Sequence, residues 1–301
     1  MTPRRDPNAL NGATSDAPDD ASPAPIAASP APIAASPAPD DASPAPDDAS
    51  PAPAGSVQVR TRWDDCDSNG HVNNAAYVAL MRAAHDRAGM PVGRLRELTI
   101  ANREPLGPEV LVDIGVSVLE ADASHRRIAY ALRAQGRLAA QVEAVWQDSG
   151  PTLEVELPRI ARDAGGRPFR FSQVVRSHEV APDGAARPQA ILQWLEHAVF
   201  RAAARAGWPG TRMEAANFLS LVVGHDLVLE APARDGDELV VTSRLIELRR
   251  VSGTWHHEIH RADGALVATD RARGAFLDRA GRIRSAPAEM LEELLGGEPA
   301  D

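Results

Sequence analysis

From Val57 the chain alternates apolar and polar positions, Val57-Gln-Val-Arg-Thr-Arg-Trp63, and this period of two predicts a strand. A turn rich in Asp, Asn and Gly follows. The alanine-rich run from Ala75 to Gly89 then places Tyr77, Leu80, Met81, Ala84 and Ala88 on one stripe at helical spacing. Asn73 and Asn74 can cap that helix, and Gly89 with Pro91 can end it. Strand patterns come next, around Glu109–Glu120, Arg126–Gln135 and Leu138–Gln147. The order then recurs. A strand is expected from Phe169, a helix from Pro188 with Ile191, Leu195, Ala198 and Ala202 on its stripe, and strands at Leu227–Leu229, Glu238–Leu248, Ser252–Arg261 and Leu266–Phe276. Gly136-Arg-Leu-Ala-Ala140 even reads like Gly264-Ala-Leu-Val-Ala268.

One helix followed by an antiparallel meander, twice over, predicts an α+β chain of two similar units. Each unit has one largely apolar helix and one sheet, so the sheet should curl around the helix. Pairing the two sheets edge to edge would hide their open strands. The boundaries are drawn as residues 1–55 for a tail, 56–150 for the first unit, 151–166 for a Pro- and Gly-containing linker, 167–290 for the second unit and 291–301 for a C-terminal tail.

Composition separates the tail from the body. Residues 1–55 hold 13 of the 25 prolines, no aromatic residue and a net charge of −6, which leaves only −4 on residues 56–301. Within the tail, Ser22, Ser29, Ser36, Ser43 and Ser50 each precede Pro-Ala-Pro, so a heptad helix is forbidden and an extended, disordered tail is expected. A mildly acidic body argues against wholesale nucleic-acid or anionic-membrane binding. Cys66 is the only cysteine, which excludes a disulfide framework and a thiolate zinc cage. The histidines lack ligand spacing, so neither a metal nor a cofactor is expected. Without a long apolar run or an apolar signal core, a cytoplasmic protein is expected.

The candidate chemistry sits in Trp63-Asp-Asp-Cys-Asp-Ser-Asn-Gly-His-Val-Asn-Asn74. Asp67, Asn69 and His71 alternate just before a helix start, whose unpaired N–H groups and partial positive charge suit a carbonyl oxygen that becomes negative. Asp67 can activate water or attack directly, and His71 can orient the substrate or shuttle a proton.

Asp65-Cys-Asp-Ser-Asn-Gly-His-Val-Asn-Asn-Ala-Ala-Tyr77 resembles the active-site segment of hotdog-fold thioesterases. Its Asp-Cys-Asp opening is similar to that of 4-hydroxybenzoyl-CoA thioesterases, and the match is closer to plant-type acyl-acyl-carrier-protein thioesterases. That resemblance implies two tandem hotdog domains forming a pseudo-dimer within the chain, and hydrolysis of acyl-CoA or acyl-carrier-protein thioesters. It implies catalytic roles for Asp67, Asn69 and His71, and for Glu104 in Asn102-Arg-Glu-Pro105, where Pro105 replaces the family's cysteine. Asn73, Asn74 and Tyr77 are the implied substrate-binding residues. The second unit resembles the same family's noncatalytic half, and aligning Gly70 with Gly184 puts Ala181 where Asp67 stands. One active site per chain is therefore expected, with the second unit shaping the acyl pocket. Some hotdog thioesterases use a Glu on the central helix; Glu196 has that place, but a local hydrogen bond or ion pair is the expectation for it. A homodimer of double units is expected, with no partner beyond the substrate. The alternatives are a hotdog enoyl-CoA hydratase or dehydratase, disfavoured because Val-Asn-Asn rather than a Pro-containing loop surrounds the His, and a noncatalytic acyl-CoA-binding protein, disfavoured by the intact polar set.

Overall fold

The computed structural model describes residues 55–67, 70–91, 93–147 and 167–295. The repeat tail, Asn69 and the 151–166 linker lie outside the described residues. Ten strands form one antiparallel sheet: β1 (Gly55–Arg60), β2 (Arg94–Asn102), β3 (Leu111–Ala121), β4 (His125–Ala134), β5 (Arg137–Gln147), β6 (Phe169–Val174), β7 (Leu219–Leu229), β8 (Glu238–Arg249), β9 (Ser252–Arg261) and β10 (Leu266–Leu277). Their spatial order is β1-β3-β4-β5-β2-β7-β10-β9-β8-β6. Each half of that order is the other half reversed, so the expected duplication and edge-to-edge pairing are both present.

Two long helices occupy the inner face. Helix α1 (Asn74–Arg87) lies against β1 and β3, α2 (Pro188–Arg205) lies against β6 and β8, and the two helices touch each other. Helix α1 starts where its cap residue dictates: Asn73 is extended, and its Oδ1 accepts the Ala75 N–H at 2.9 Å. Pro188 opens α2 from the first-turn position, where a missing N–H breaks no helical bond. The alanines let the helices sit close to the sheet, and Ala75, Met81, Ala84, Leu192 and Ala202 are fully buried. A short helix α3 (Gly210–Ala215) follows α2, and α4 (Ala288–Leu295) closes the described chain. The boundary drawn at residue 290 falls inside α4, because Met290 and Leu294 pack into the core.

The sheets join where β2 meets β7, with Glu97 opposite Val228 and Ala101 opposite Gly224. A Cβ on Gly224 would come within 2.6 Å of the Ile100 carbonyl oxygen, so only glycine allows this approach. Side chains cross the same seam. Arg96 Nη1 donates to the Glu230 carbonyl at 3.0 Å, Arg273 Nη2 to the Ile100 carbonyl at 3.3 Å, and Asn74 Nδ2 to the Val222 carbonyl at 3.3 Å.

The seam strands are the ones the hydrophobic pattern missed. No strand was expected at Arg94–Asn102, and only the last three residues of β7 were expected. A register shift between Leu95 and Glu97 breaks the alternation in β2. In β7, Gly224-His-Asp226 reads as a turn, yet His225 is fully buried.

Candidate active site

The first unit's turn is built twice in the chain. In the first copy the Asp67 N–H donates to the His71 carbonyl (2.8 Å), the Gly70 N–H to the Asp67 carbonyl (3.0 Å) and the Asn73 N–H to the Asp65 carbonyl (2.8 Å). In the second, the Ala181 N–H donates to the Ala185 carbonyl (2.8 Å), the Gly184 N–H to the Ala181 carbonyl (2.8 Å) and the Arg187 N–H to the Glu179 carbonyl (2.9 Å). Gly70 and Gly184 take φ of 75° and 78°, the left-handed conformation that such a turn requires. Ala181 thus occupies the place of Asp67. The backbone was duplicated; the acid was not.

Asp67 sits on a cleft of about 330 Å³ between this turn and helix α2. Asp64, Asp65, Cys66, Asp67 and Asn73 line one wall, and Gln189, Gln193, Glu196, His197 and Phe200 line the other. The Asp67 Oδ1 accepts the His71 backbone N–H at 3.2 Å, which holds the carboxyl over its own turn. Asn73 divides its amide: Oδ1 caps α1, while Nδ2 donates to Glu196 Oε2 at 2.9 Å. One residue therefore ties the start of the first helix to a carboxyl of the second unit.

Glu196 is only 7 % exposed, and its other oxygen faces His225 Nε2 at 3.7 Å. The expected local bonds exist, but they hold Glu196 on the cleft that Asp67 lines. His225 Nδ1 meets Asp270 Oδ2 at 2.9 Å, with both residues fully buried. Burial alone would push the His225 ring down; Asp270 and Glu196 outweigh it and lift the ring to about 10. Neither His225 nor Asp270 stood out in the sequence, because His225 lies outside the expected strands, Asp270 lies inside one, and the two meet only through sheet register.

The other sequence candidates are placed as follows. Glu104 pairs with the exposed Arg137 at the β4–β5 hairpin and is not among the cleft's lining residues. Asn74 accepts from Asn102 Nδ2 through its Oδ1 and binds Val222, so its amide serves the seam. Tyr77 is buried in the core of the first unit, and burial pushes its phenol up. Neither Asn74 nor Tyr77 lines the cleft. Asn69 lies outside the described residues. Cys66 does line the cleft, but burial, then Asp65 and Asp67, push its thiol up and away from the reactive thiolate. His256 and His257 are neighbours in β9, and both are buried.

Residues 61–158 match the family described as thioesterase-like superfamily, and residues 190–268 match the thioesterase superfamily. The fold is similar to an acyl-ACP thioesterase from Bacteroides thetaiotaomicron, with a TM-score of 0.56 at 11% identity over 73% of this chain and 97% of that one. It is also similar to the 12:0-ACP thioesterase from Umbellularia californica, with a TM-score of 0.58 at 8% identity over 73% and 93%. A Lactobacillus plantarum protein assigned as an oleoyl thioesterase gives a TM-score of 0.59 at 14% identity over 77% and 96%. At these identities the likeness is one of fold. No curated protein sequence matches the chain.

Proposed function

The chain belongs to the thioesterase superfamily and carries two hotdog domains in tandem, and on that premise we propose that it hydrolyses acyl thioesters of coenzyme A or of an acyl carrier protein. One observation carries the reading: Asp67 and Glu196, from different units, line one cleft at the start of helix α1. A thioester carbonyl placed there points its oxygen toward the positive end of α1, where negative charge developing on that oxygen is stabilised. Asp67 takes a proton from water that attacks the carbonyl carbon, or attacks that carbon itself. The carbon–sulfur bond then breaks and the electron pair leaves on sulfur; in the base route the thiolate takes up the proton held by Asp67, and in the direct route it takes one from solvent. In the direct route, water subsequently hydrolyses the mixed anhydride on Asp67.

We infer that Glu196, rather than Glu104, is the second working carboxyl, because it lines the cleft while Glu104 is paired to Arg137. His71 supports Asp67 through its backbone, and Asn69 keeps the role its resemblance implies. Among the described residues four carboxyl residues and no arginine line the cleft, so the phosphates of the thiol carrier belong at its rim. The same charge favours a neutral acyl group over one bearing a distal carboxylate.

The test is a panel of acyl-CoA and acyl-carrier-protein thioesters of varied chain length, read by free thiol release. Hydrolysis of neutral acyl thioesters, strongly reduced in Asp67→Asn of unchanged melting temperature, supports the reading. Loss of enoyl absorbance without thiol release would assign the cleft to hydration instead.

A further inference from the structure

The second sheet carries a buried His–Asp pair at positions where the first sheet is apolar. Register gives the matching positions. Val142 and Asp270 lie six residues after the hairpin glycines Gly136 and Gly264. Leu98 pairs with Ala144 in the first unit as His225 pairs with Ala272 in the second. Tyr130 stands opposite Val142 as His257 stands opposite Asp270, and Val116 opposite Tyr130 as Ser243 opposite His257. Where one sheet uses Leu98, Val142 and Val116, the other uses His225, Asp270 and Ser243. The apolar set shows that this sheet geometry folds without charges.

Burying an ion pair costs several kcal/mol of desolvation per charge, and apolar replacements are often neutral or stabilising. The second unit carries that penalty where the first does not. The pair also leads somewhere. From the interior it runs through Asp270 Oδ2 to His225 Nδ1 at 2.9 Å, then across an ion-pair separation of 3.7 Å from His225 Nε2 to Glu196 Oε1, two buried atoms that make no hydrogen bond among the described residues. Glu196 opens onto the cleft, with Asn73 on its other oxygen. On the opposite side, His257 Nδ1 is bonded to the Ser243 hydroxyl at 2.8 Å, and its Nε2 has no hydrogen-bond partner among the described residues.

We propose that Asp270 and His225 are positioning residues of the active site: Asp270 fixes the His225 ring, and the ring holds the Glu196 side chain against the cleft from inside the second sheet. The proposal rests on Glu196 acting on the thioester. A carboxyl on each side of one imidazole is matched by a ring that donates from both nitrogens. The groups facing His225 are Asp270 from β10 and Glu196 from α2, and His257 on β9 stands beyond Asp270. Burial pushes His257 down to about 4, so it is neutral near pH 7 and adds no second cation to the pair.

Two measurements test the proposal. The first is spectroscopic: ¹⁵N spectra of histidine-labelled protein at pH 7 should show a ring protonated on both nitrogens that is absent in His225→Gln. Its Nε2 resonance should shift in Glu196→Gln. A neutral His225 ring, or a ring indifferent to Glu196→Gln, overturns the proposal. The second is a double-mutant cycle on thioester hydrolysis with Glu196→Gln, Asp270→Asn and the pair, each of retained melting transition. Misplacing a group by about 1 Å can cost about 10²-fold, so Asp270→Asn should lower kcat on that scale with KM little changed. The double variant should be no slower than Glu196→Gln alone, because the pair acts through that one carboxyl. Additive losses overturn the positioning role while leaving Glu196 in the mechanism. A fully active Glu196→Gln sinks the reading of Glu196 itself, and the positioning role falls with it. If Asp270→Asn fails to fold, His225→Gln takes its place in the cycle with the same expected non-additivity.

Discussion

The two units place opposite kinds of polar cluster beneath similar helices. In the first, Trp146 Nε1 donates to the Tyr130 hydroxyl at 3.1 Å, and that hydroxyl donates onward to His85 Nδ1 at 2.8 Å. His85 Nε2 then donates to the Pro91 carbonyl at 3.2 Å. Because a carbonyl only accepts, this order fixes the tautomer, and burial keeps the ring neutral by pushing it down. The cluster closes on itself with every ring proton used. In the second unit the cluster is ionic, leaves Asp270 Oδ1, His257 Nε2, His225 Nε2 and Glu196 Oε1 without hydrogen-bond partners among the described residues, and ends at a cleft. A closed neutral network serves the core, whereas an open charged one carries a penalty that packing alone does not require. The turns show the reverse asymmetry. The first unit keeps Asp67 and the second has Ala181, while the helix position matching Glu196 is Arg82, which pairs with the exposed Asp86. Asp67 of the first unit and Glu196 of the second therefore share a single cleft, and the matching positions, Ala181 and Arg82, hold no carboxyl.

The sharpest way to break this comparison is at the turns. Asp67→Asn should lower turnover about 10²–10⁴-fold, the usual range for losing a general base. Ala181→Asp should create no second site, because Arg82 stands where Glu196 would be needed. Rescue of Asp67→Asn by Ala181→Asp, measured as restored thiol release, would show that the units are interchangeable after all.

Next come the sheets. His225→Leu alone leaves Asp270 buried and unpaired, and breaking a buried pair in this way costs about 3–5 kcal/mol in denaturant unfolding. Installing the first unit's residues together, as His225→Leu with Asp270→Val, should recover most of that loss while turnover stays low. If the double variant is as unstable as the single one, the second sheet needs its charges to fold.

His225 and His257 predict a pH signature of opposite signs. For His225, burial pushes down but Asp270 and Glu196 lift the ring from 6.5 to about 10, so its stabilisation is present below 6.5 and is lost as pH rises through 10. For His257, burial lowers the ring from 6.5 to about 4 despite Asp270, with His225 and His256 adding to the depression. Its contribution is present above 6.5 and is lost as pH falls through 4. Melting temperature against pH should thus fall at both ends, and His225→Leu with Asp270→Val should lose the alkaline limb only.

The smallest effect concerns Glu104. Its ion pair with Arg137 is solvent-facing, and such pairs contribute about 0–1 kcal/mol. Glu104→Gln should change turnover far less than Glu196→Gln; the opposite order would return the second carboxyl to the first unit. A fragment of residues 56–150, which exposes the β2 edge that β7 covers, should self-associate in sedimentation, and a monodisperse monomer would deny the seam its role.

Local sequence by itself determined a good deal. Period-two runs marked Ser252–Arg261 to the residue, and the cap Asn73 with Pro188 marked both long helices to within a residue at their starts. These features depend on neighbours within a few positions, so one chain segment carries the whole signal. The Asp67 turn and the loss of its acid at Ala181 were also legible, because a turn needs its glycine at a fixed offset. The tertiary structure alone decided the rest. Strand β2 and most of β7 gain their order from tertiary pairing, β2 with β5, β7 with β10 and the two with each other across the seam, and a break in alternation or an internal Gly-His-Asp conceals them locally. The surroundings of the two glutamates were decided the same way. Glu104 stands close to the motif in sequence yet turns to Arg137, while Glu196, 123 residues from Asn73, is bonded to it. Asp270 and His225 lie 45 residues apart and meet because β7 and β10 pair in one register, a relation that distance in the chain does not encode.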